Sequence, residues 1–367
     1  MKQNQIIKIY GTDFKENTKI LLDKCALASR IGDRDRLIGI KPNLVCAVPA
    51  MYGATTHPEI VSGIIEYLQE NRFSNIVIAE GSWVGDRTEE AFEYCGYNAL
   101  SRQYGVPLID TQKDTWHEED CGGMKLAITD TASEIDFLIN VPVLKGHCQT
   151  KMTCALKNLK GLIPNREKSR FHRLGLHKPI AHLQKAIRQD FIVCDHICGD
   201  LDFEEGGNPV VKNCIMACVD PVMLDSYACF LLGYTPDDVP YVRLAEQLGV
   251  GSADLGLAEI ISLTEDEEPS QGEIRRRILE VSYAVEEVDS CSACYASLIG
   301  ALEQLKSEGL LSALDTRIGI GQGMRGKSGK LGIGNCTSKF DFCIGGCPPD
   351  EETICRKLRE YIHAEKT

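Results

Sequence analysis

Five cysteines stand close together in the last quarter of the chain: Cys291 and Cys294 in a C-x2-C, then Cys336, Cys343 and Cys347. Thiolates suit soft or borderline metals, and a set of four suits an iron–sulfur cluster or zinc. Free cysteines otherwise behave as small buried hydrophobes, and those sit inside strands and helices. These sit beside glycine and proline, in Gly334-Asn335-Cys336 and Cys343-Ile344-Gly345-Gly346-Cys347-Pro348-Pro349, where a backbone bends around something. Metal binding is therefore the expectation, with plain burial or a redox disulfide pair as the alternatives. A structural zinc site usually has two close knuckles, whereas here forty-one residues separate Cys294 from Cys336 and the second knuckle is missing.

The closing Gly346-Cys347-Pro348-Pro349 resembles the cluster-binding end of hydrogenase small subunits and of the related quinone-reductase cluster subunit. That resemblance implies a [4Fe-4S] cluster held by Cys291, Cys294, Cys336 and Cys347, with zinc as the alternative metal. Cys343 is a spare that can replace either late ligand. The opening cysteine spacing departs from that of those proteins.

A second group of reactive residues lies in mid-chain. Lys145-Gly146-His147-Cys148 and Lys157-Asn158-Leu159-Lys160-Gly161 combine lysines with a histidine in a glycine-broken stretch, which can bind a carboxylate or phosphate and donate a proton. Lys145 and His147, with His172 in the same basic segment, are the catalytic candidates. Lys41, Asn43, Glu80, Lys157 and Asn158 are the binding candidates, and strand-end turn formation is the plainer role of Lys41, Asn43 and Glu80. Asp195, Asp202, Glu204 and Glu205 are read either as an acidic solvated turn or as ligands for a divalent cation. Asp220 and Asp225 read as a helix cap and a first-turn acid.

Charge is placed unevenly. From Lys145 to Arg188 there are eleven Lys or Arg and one acid, a window of +10, so the rest of this −13 chain carries −23. A basic island in an acidic protein suggests an anionic small molecule or an acidic redox protein as partner. A solvated basic face is the plainer alternative. The overall charge argues against nucleic acid.

Gly321-Gln322-Gly323-Met324-Arg325-Gly326-Lys327-Ser328 matches the phosphate-loop pattern, but that loop needs a helix directly after it. The following residues, Gly329 to Cys336, read as strand and turn. A glycine hairpin donating N–H groups to cluster sulfurs is the better reading.

These residues need elements to hold them. At 367 residues two domains are expected: residues 1–268, with a basic loop at 145–178, and a cysteine-rich module at 269–367. Strands are predicted over 6–10, 36–45, 75–79, 106–109, 137–141, 192–196, 214–219 and 260–263, with a short edge strand at 125–128. Helices are predicted over 17–29, from His57-Pro58 onward, over 88–103, over 179–188 and after Asp220-Pro221. The rhythm is that of an α/β fold with a doubly wound, mostly parallel sheet, in which ligands bind at the carboxyl ends of strands. The basic loop before 179 is too polar and glycine-broken to bury much. The boundary falls in the charged stretch 264–277. The smaller C-terminal α/β module has strand-like stretches at 279–288, 317–321 and 331–334, and helices at 295–306 and 351–362. A small module of this kind needs its cluster to hold the fold.

Seventeen cysteines, no signal-like apolar run in the first residues and no 18-residue apolar span point to the cytoplasm, without a membrane span or a disulfide framework. Nothing in the sequence sets an oligomeric state.

With these residues laid out, the chain resembles the iron–sulfur-associated domain-of-unknown-function family 362. The matching features are Lys41-Pro42-Asn43, His57-Pro58, Glu80-Gly81, Asn140-x-Pro142-x-x-Lys145-x-His147, Lys157-Asn158-x-x-Gly161, His172, Asp195 and Asp220-Pro221-x-x-x-Asp225. Many members carry a ferredoxin segment, and this chain has the hydrogenase-like cysteine module in its place. The reading is an iron–sulfur oxidoreductase passing electrons from a C-terminal [4Fe-4S] cluster to an anionic small molecule or cofactor at the basic loop. The alternatives are an electron-delivery or binding partner without chemistry of its own, and a zinc-stabilised non-redox enzyme.

Overall fold

The apolar runs at Ile38, Ile76, Phe137 and Phe191 lack polar alternation, the pattern of strands covered on both faces. In the computed structural model of the chain, which describes residues 1–207, 209–265 and 280–364, they lie in one sheet. The chain divides into two compact units, Met1–Gly146 with Thr150–Ser270, and His147–Gln149 with Gln271–Thr367. The charged stretch read as the boundary lies outside the described residues from 266 onward.

The first unit contains β1 (Gln5–Tyr10), β2 (Ile38–Pro42), β3 (Ile76–Glu80), β4 (Leu108–Asp110), β5 (Trp116–Asp120), β6 (Lys125–Thr129) and β7 (Phe137–Val141). β8 (Lys145–His147) and β9 (Lys151–Thr153) form a small ribbon, followed by β10 (Phe191–Asp200), β11 (Pro209–Cys218) and β12 (Glu259–Ser262). Eight strands make the main sheet in the order β12-β1-β11-β10-β7-β2-β3-β4. Five of the seven pairings are parallel, and β11 runs antiparallel to both neighbours.

Successive residues of a strand point to opposite faces, and β10 feeds two cores in this way. Phe191 and Val193 join the helices Phe14–Lys24, Pro58–Glu70 and Tyr97–Tyr104, while Ile192 and Cys194 join Ala155–Asn158, Asn165–Leu174, His177–Leu183 and Pro221–Leu231. The fold is α/β, with helices on both faces of a mostly parallel sheet.

Several local expectations change. The helix expected over 17–29 is two, Phe14–Lys24 and Leu27–Ile31, broken where Ala26 turns left-handed at φ 54°. That over 88–103 is split at Gly96 into Thr88–Tyr94 and Tyr97–Tyr104. β6 is no edge of the main sheet; it pairs with β5 in a separate hairpin. The largest correction concerns 145–178. Lys145, Met152, Cys154, Leu156, Leu159, Leu162, Ile163 and Phe171 are all fully buried, so this stretch is core. Its lysines disguise apolar residues spaced for helix faces.

In the second unit, β13 (Val285–Glu287), β14 (Ile318–Ile320), β15 (Leu331–Ile333) and β16 (Phe342–Ile344) form a parallel sheet in chain order. β16 escaped the sequence reading, because three residues give no period. The register pairs Glu287, Ile320, Ile333 and Ile344 in one row, so the four strands end level. The helices Ser292–Ser307 and Glu351–Ala364 bury Leu298, Leu302, Leu305, Ile354, Leu358 and Ile362.

Candidate functional site

In the first unit the sequence candidates converge beyond the carboxyl ends of β2, β3 and β7. Lys41 Nζ donates to Glu80 Oε2 at 2.7 Å and to the Pro42 carbonyl at 2.6 Å. The Glu80 carboxylate also accepts the backbone N–H groups of Gly81 at 2.7 Å and Leu44 at 2.8 Å. Burial pulls the Lys41 ammonium down, and the charge and hydrogen bond of Glu80 oppose it. Asn158 Nδ2 donates to Asn140 Oδ1 at 2.7 Å, which ties the pair to β7.

Lys145 Nζ donates to the carbonyls of Ala54 and Glu204 and, at 3.3 Å, to Asn43 Oδ1. Burial lowers it to about 8, against the charge of Glu204. Lys157 Nζ donates to Glu204 Oε2 at 2.7 Å and to Thr153 Oγ1 at 2.9 Å. Glu204, half-buried in its turn, is thus the counter-charge of a buried lysine.

The helix Ala155–Asn158, which carries Lys157 and Asn158, is too short to persist alone. Asp225, on the helix Pro221–Leu231, holds it by accepting the N–H groups of Ala155 at 2.7 Å and Leu156 at 3.2 Å. Asp225 thus caps a neighbouring helix and is no first-turn acid of its own. Burial lifts its carboxyl to about 7, although the two N–H bonds pull the other way. Asp220 caps its own helix, as expected, through the N–H groups of Val222 and Met223.

Sequence reasoning missed Lys168. Its Nζ donates to the carbonyls of Gly81 at 3.0 Å and Ser82 at 2.8 Å, and burial lowers it to about 8. The signal was present, since Lys168 stands three residues before buried Phe171 on one helix face. His172 follows Lys168 by four residues on that helix and is half-buried. His147 ends β8, belongs to the second unit, and accepts the Gln149 N–H at Nδ1, 3.1 Å away. Gly161 completes the arrangement: a Cβ there would lie 1.8 Å from Glu80 Oε1 and 2.5 Å from Lys41 Nζ. Only glycine lets that turn cover the ion pair.

His57 and Asp195 form a second buried unit. His57 Nδ1 lies 2.8 Å from Asp195 Oδ2, which also accepts the His57 backbone N–H. Burial alone would lower the imidazole, but the charge and hydrogen bond of Asp195 outweigh it and raise it to about 10. A bulge between His196 and Cys198 re-aims the chain, placing Cys198 Sγ 3.8 Å from His57 Nε2.

In the second unit every strand end leads into a turn with chemistry on it. Cys291 and Cys294 follow β13, Gln322 and Arg325 follow β14, Cys336 follows β15, and Cys347 follows β16. Backbone bonds fix these turns: Gln322 N–H to the Asp289 carbonyl at 3.0 Å, and Asn335 N–H to the Gly346 carbonyl at 2.9 Å. Gly321, at φ 115°, allows the closest approach, since a Cβ there would lie 2.0 Å from the Val288 carbonyl oxygen. Gln322 Nε2 donates to Cys291 Sγ and Arg325 Nε to Cys336 Sγ, both at 3.4 Å.

The four thiols feel one another. Burial first, then Cys291, Cys347 and Cys336, push the Cys294 thiol up to about 12. Cys291 is raised by burial and by Cys336 and Cys347, with Gln322 and Arg325 opposing. Cys343 is placed differently: it lies inside β16, and its Sγ is 3.6 Å from the Gly334 carbonyl and 3.5 Å from Thr337 Oγ1. Among the described residues no group of three or more His, Cys, Asp or Glu is placed to hold a metal ion. The stretch matching a phosphate loop has a 3-10 turn at Gln322–Met324 and then runs into β15, so the helix that a phosphate site needs is not there among the described residues. Among the described residues the side chains of Gln322 and Arg325 reach the cysteine sulfurs.

Residues 38–230 match the sequence profile of the family described as Domain of unknown function (DUF362). That span holds the lysine–glutamate network and the His57–Asp195 pair and stops short of Cys291, Cys294, Cys336, Cys343 and Cys347. The thylakoid-associated protein sll1697 of Synechocystis sp. is 27% identical over 232 residues, 59% of this chain and 68% of that protein. Among solved structures, the lactate racemase apoprotein from Thermoanaerobacterium thermosaccharolyticum aligns with a TM-score of 0.40 and 16% identity, over 61% of this chain and 56% of its own. A Thermotoga maritima protein aligns with a TM-score of 0.41 and 15% identity, over 61% of this chain and 60% of its own. The chain spans less than two thirds of either of those two structures. No helix among the described residues is long and apolar enough to cross a membrane.

Proposed function

From the premise that the chain belongs to the family described as Domain of unknown function (DUF362), we propose that it is an iron–sulfur oxidoreductase acting on an anionic small molecule. One observation carries this reading: Cys291, Cys294, Cys336 and Cys347 follow the level ends of parallel strands and lie within each other's electrostatic reach.

The donor set fits the group. Four thiols supply the ligands that a [4Fe-4S] cluster takes, one on each iron. Four sulfurs on one zinc ion would each need to lie about 2.3 Å from it. Arg325 and Gln322 are the outer hydrogen-bond donors that metal-bound thiolates need. Bound there, the cluster supplies one-electron transfer. Cys343, within β16, is left out of the ligand set.

The first unit supplies the anion site in this reading. Lys145, Lys157 and Lys168 are withdrawn from water around the Lys41–Glu80 pair, and charge-assisted bonds from such groups are the strong ones. Asn43 and Asn158 fix two of the lysines. His172 is proposed as a proton donor, and Lys145, lowered by burial to about 8, can share that role.

Anaerobic protein reduced with dithionite, then mixed with a panel of carboxylates and phosphates, tests the function. Reoxidation followed by visible absorbance should accelerate with at least one class, and Lys157→Met should slow it tenfold or more. Reoxidation rates that no compound of either class changes would overturn the oxidoreductase reading. Co-purification with an acidic redox protein alongside that result would favour the electron-delivery role.

A further inference from the structure

Five lysines crowd the ends of β2 and β3 in the first unit, and four of them have their ammonium groups answered by the protein. Lys41 has Glu80, Lys157 has Glu204, Lys145 has the carbonyls of Ala54 and Glu204, and Lys168 has those of Gly81 and Ser82. Lys160 is the exception. It has no hydrogen bond or ion pair among the described residues, and it lies within reach of the charges of Lys157, Lys168 and Glu204. Glu204 is already engaged by Lys157 at 2.7 Å. Asp110 acts on Lys168, and Glu205, itself pushed toward its neutral form by burial and by Glu204, acts on Lys145.

Lys160 is half-buried, so an anion can reach it, and an ammonium held beside like charges is costly to keep unanswered. Either its proton leaves or an anion comes to it. The backbone favours the second outcome. Lys160 sits in the 3-10 turn Leu159–Leu162, directly after the capped helix that carries Lys157 and directly before Gly161. The Gly161 carbonyl accepts Thr111 Oγ1 at 2.5 Å, and its bare Cα lies against the Lys41–Glu80 pair. The turn is therefore pinned on both sides of Lys160, while the lysine itself has no partner among the described residues.

We infer that Lys160 binds the charged end of the ligand, a carboxylate or a phosphate group, and that this ligand supplies the counter-charge the protein withholds. The inference rests on the reading of the first unit as an anion site and names the residue and the ligand group. Partial burial first, then Lys157 and Lys168, bring the Lys160 amine down to about 7, against the charge of Glu204.

The test is a thermal-unfolding series on full-length wild type and Lys160→Met, with inorganic phosphate or succinate as probe at constant ionic strength. Wild type should be stabilised by at least one probe. Phosphate alone would assign a phosphate ligand and succinate alone a carboxylate one. Lys160→Met without probe should unfold at the wild-type temperature or above it, because an unanswered ammonium has been removed, and half-saturation by the probe should need tenfold more or worse. A wild-type response to probe in Lys160→Met, or a probe-free Lys160→Met that unfolds markedly earlier, overturns the inference and leaves the anion reading intact. No stabilisation of wild type by either probe overturns both.

Discussion

Lys41 Nζ and Glu80 Oε2 stand 2.7 Å apart at the ends of neighbouring parallel strands, with side chains only 1% and 3% exposed. Removing one partner of such a pair leaves a bare buried charge, which typically costs about 3–5 kcal/mol. Glu80→Gln should therefore lower the urea-unfolding free energy by roughly that amount, and Lys41→Met added to it should recover part of the loss. Equal stability of wild type and Glu80→Gln would show that the pair is not held as described.

Gly161→Ala probes the same place without touching a charge. Its new methyl group would meet Glu80 Oε1 and the Lys41 side chain at distances no real contact allows. Overpacking of this kind costs about 1–3 kcal/mol, and phosphate or succinate binding should weaken with it. A Gly161→Ala protein with wild-type stability and anion affinity would contradict the close approach of that turn.

The His57–Asp195 pair predicts a pH dependence. His57 has an ordinary value of 6.5 and is raised to about 10 in the fold. A group raised in this way stabilises the folded state fully below its unfolded value, and that contribution is lost as pH rises through the folded value. Wild-type stability should fall between pH 6.5 and 10, and His57→Gln should flatten that part of the profile. Parallel profiles for the two proteins would remove His57 as the cause.

Arg325 predicts a redox effect. Its guanidinium donates to Cys336 Sγ and is itself raised by Cys336, then by Cys291 and Cys347. A cation beside the thiolates favours the more negative, reduced cluster. Arg325→Gln should keep the iron content and lower the midpoint potential by some tens of millivolts, where about 59 mV is a tenfold change for one electron. An unchanged potential with full iron content would deny Arg325 this role.

The sequence was most legible where chemistry and period coincide. The strand ends at Lys41 and Glu80 and the Pro58 helix start were readable, because a buried parallel strand is a plain apolar run and proline marks a first turn. The buried character of 145–178 was not readable, because lysine is counted as solvated until a counter-charge is found. Glu204, forty-seven residues after Lys157, supplies that counter-charge, and no local pattern links them. Asp225 was misread for the same reason, since its partners Ala155 and Leu156 lie seventy residues upstream. Gln322 and Arg325 were hidden behind a phosphate-loop pattern whose missing helix was the clue to another role.

The central claim is a cluster on four cysteines, and a metal count addresses it most directly. Anaerobically purified wild type should contain about four iron and four sulfide per chain and little zinc. Cys291→Ser, Cys294→Ser, Cys336→Ser and Cys347→Ser should each lose most of the iron, the sulfide and the visible absorbance, while Cys343→Ser keeps them. About one zinc per chain without sulfide, or full iron in all four variants, would contradict the account.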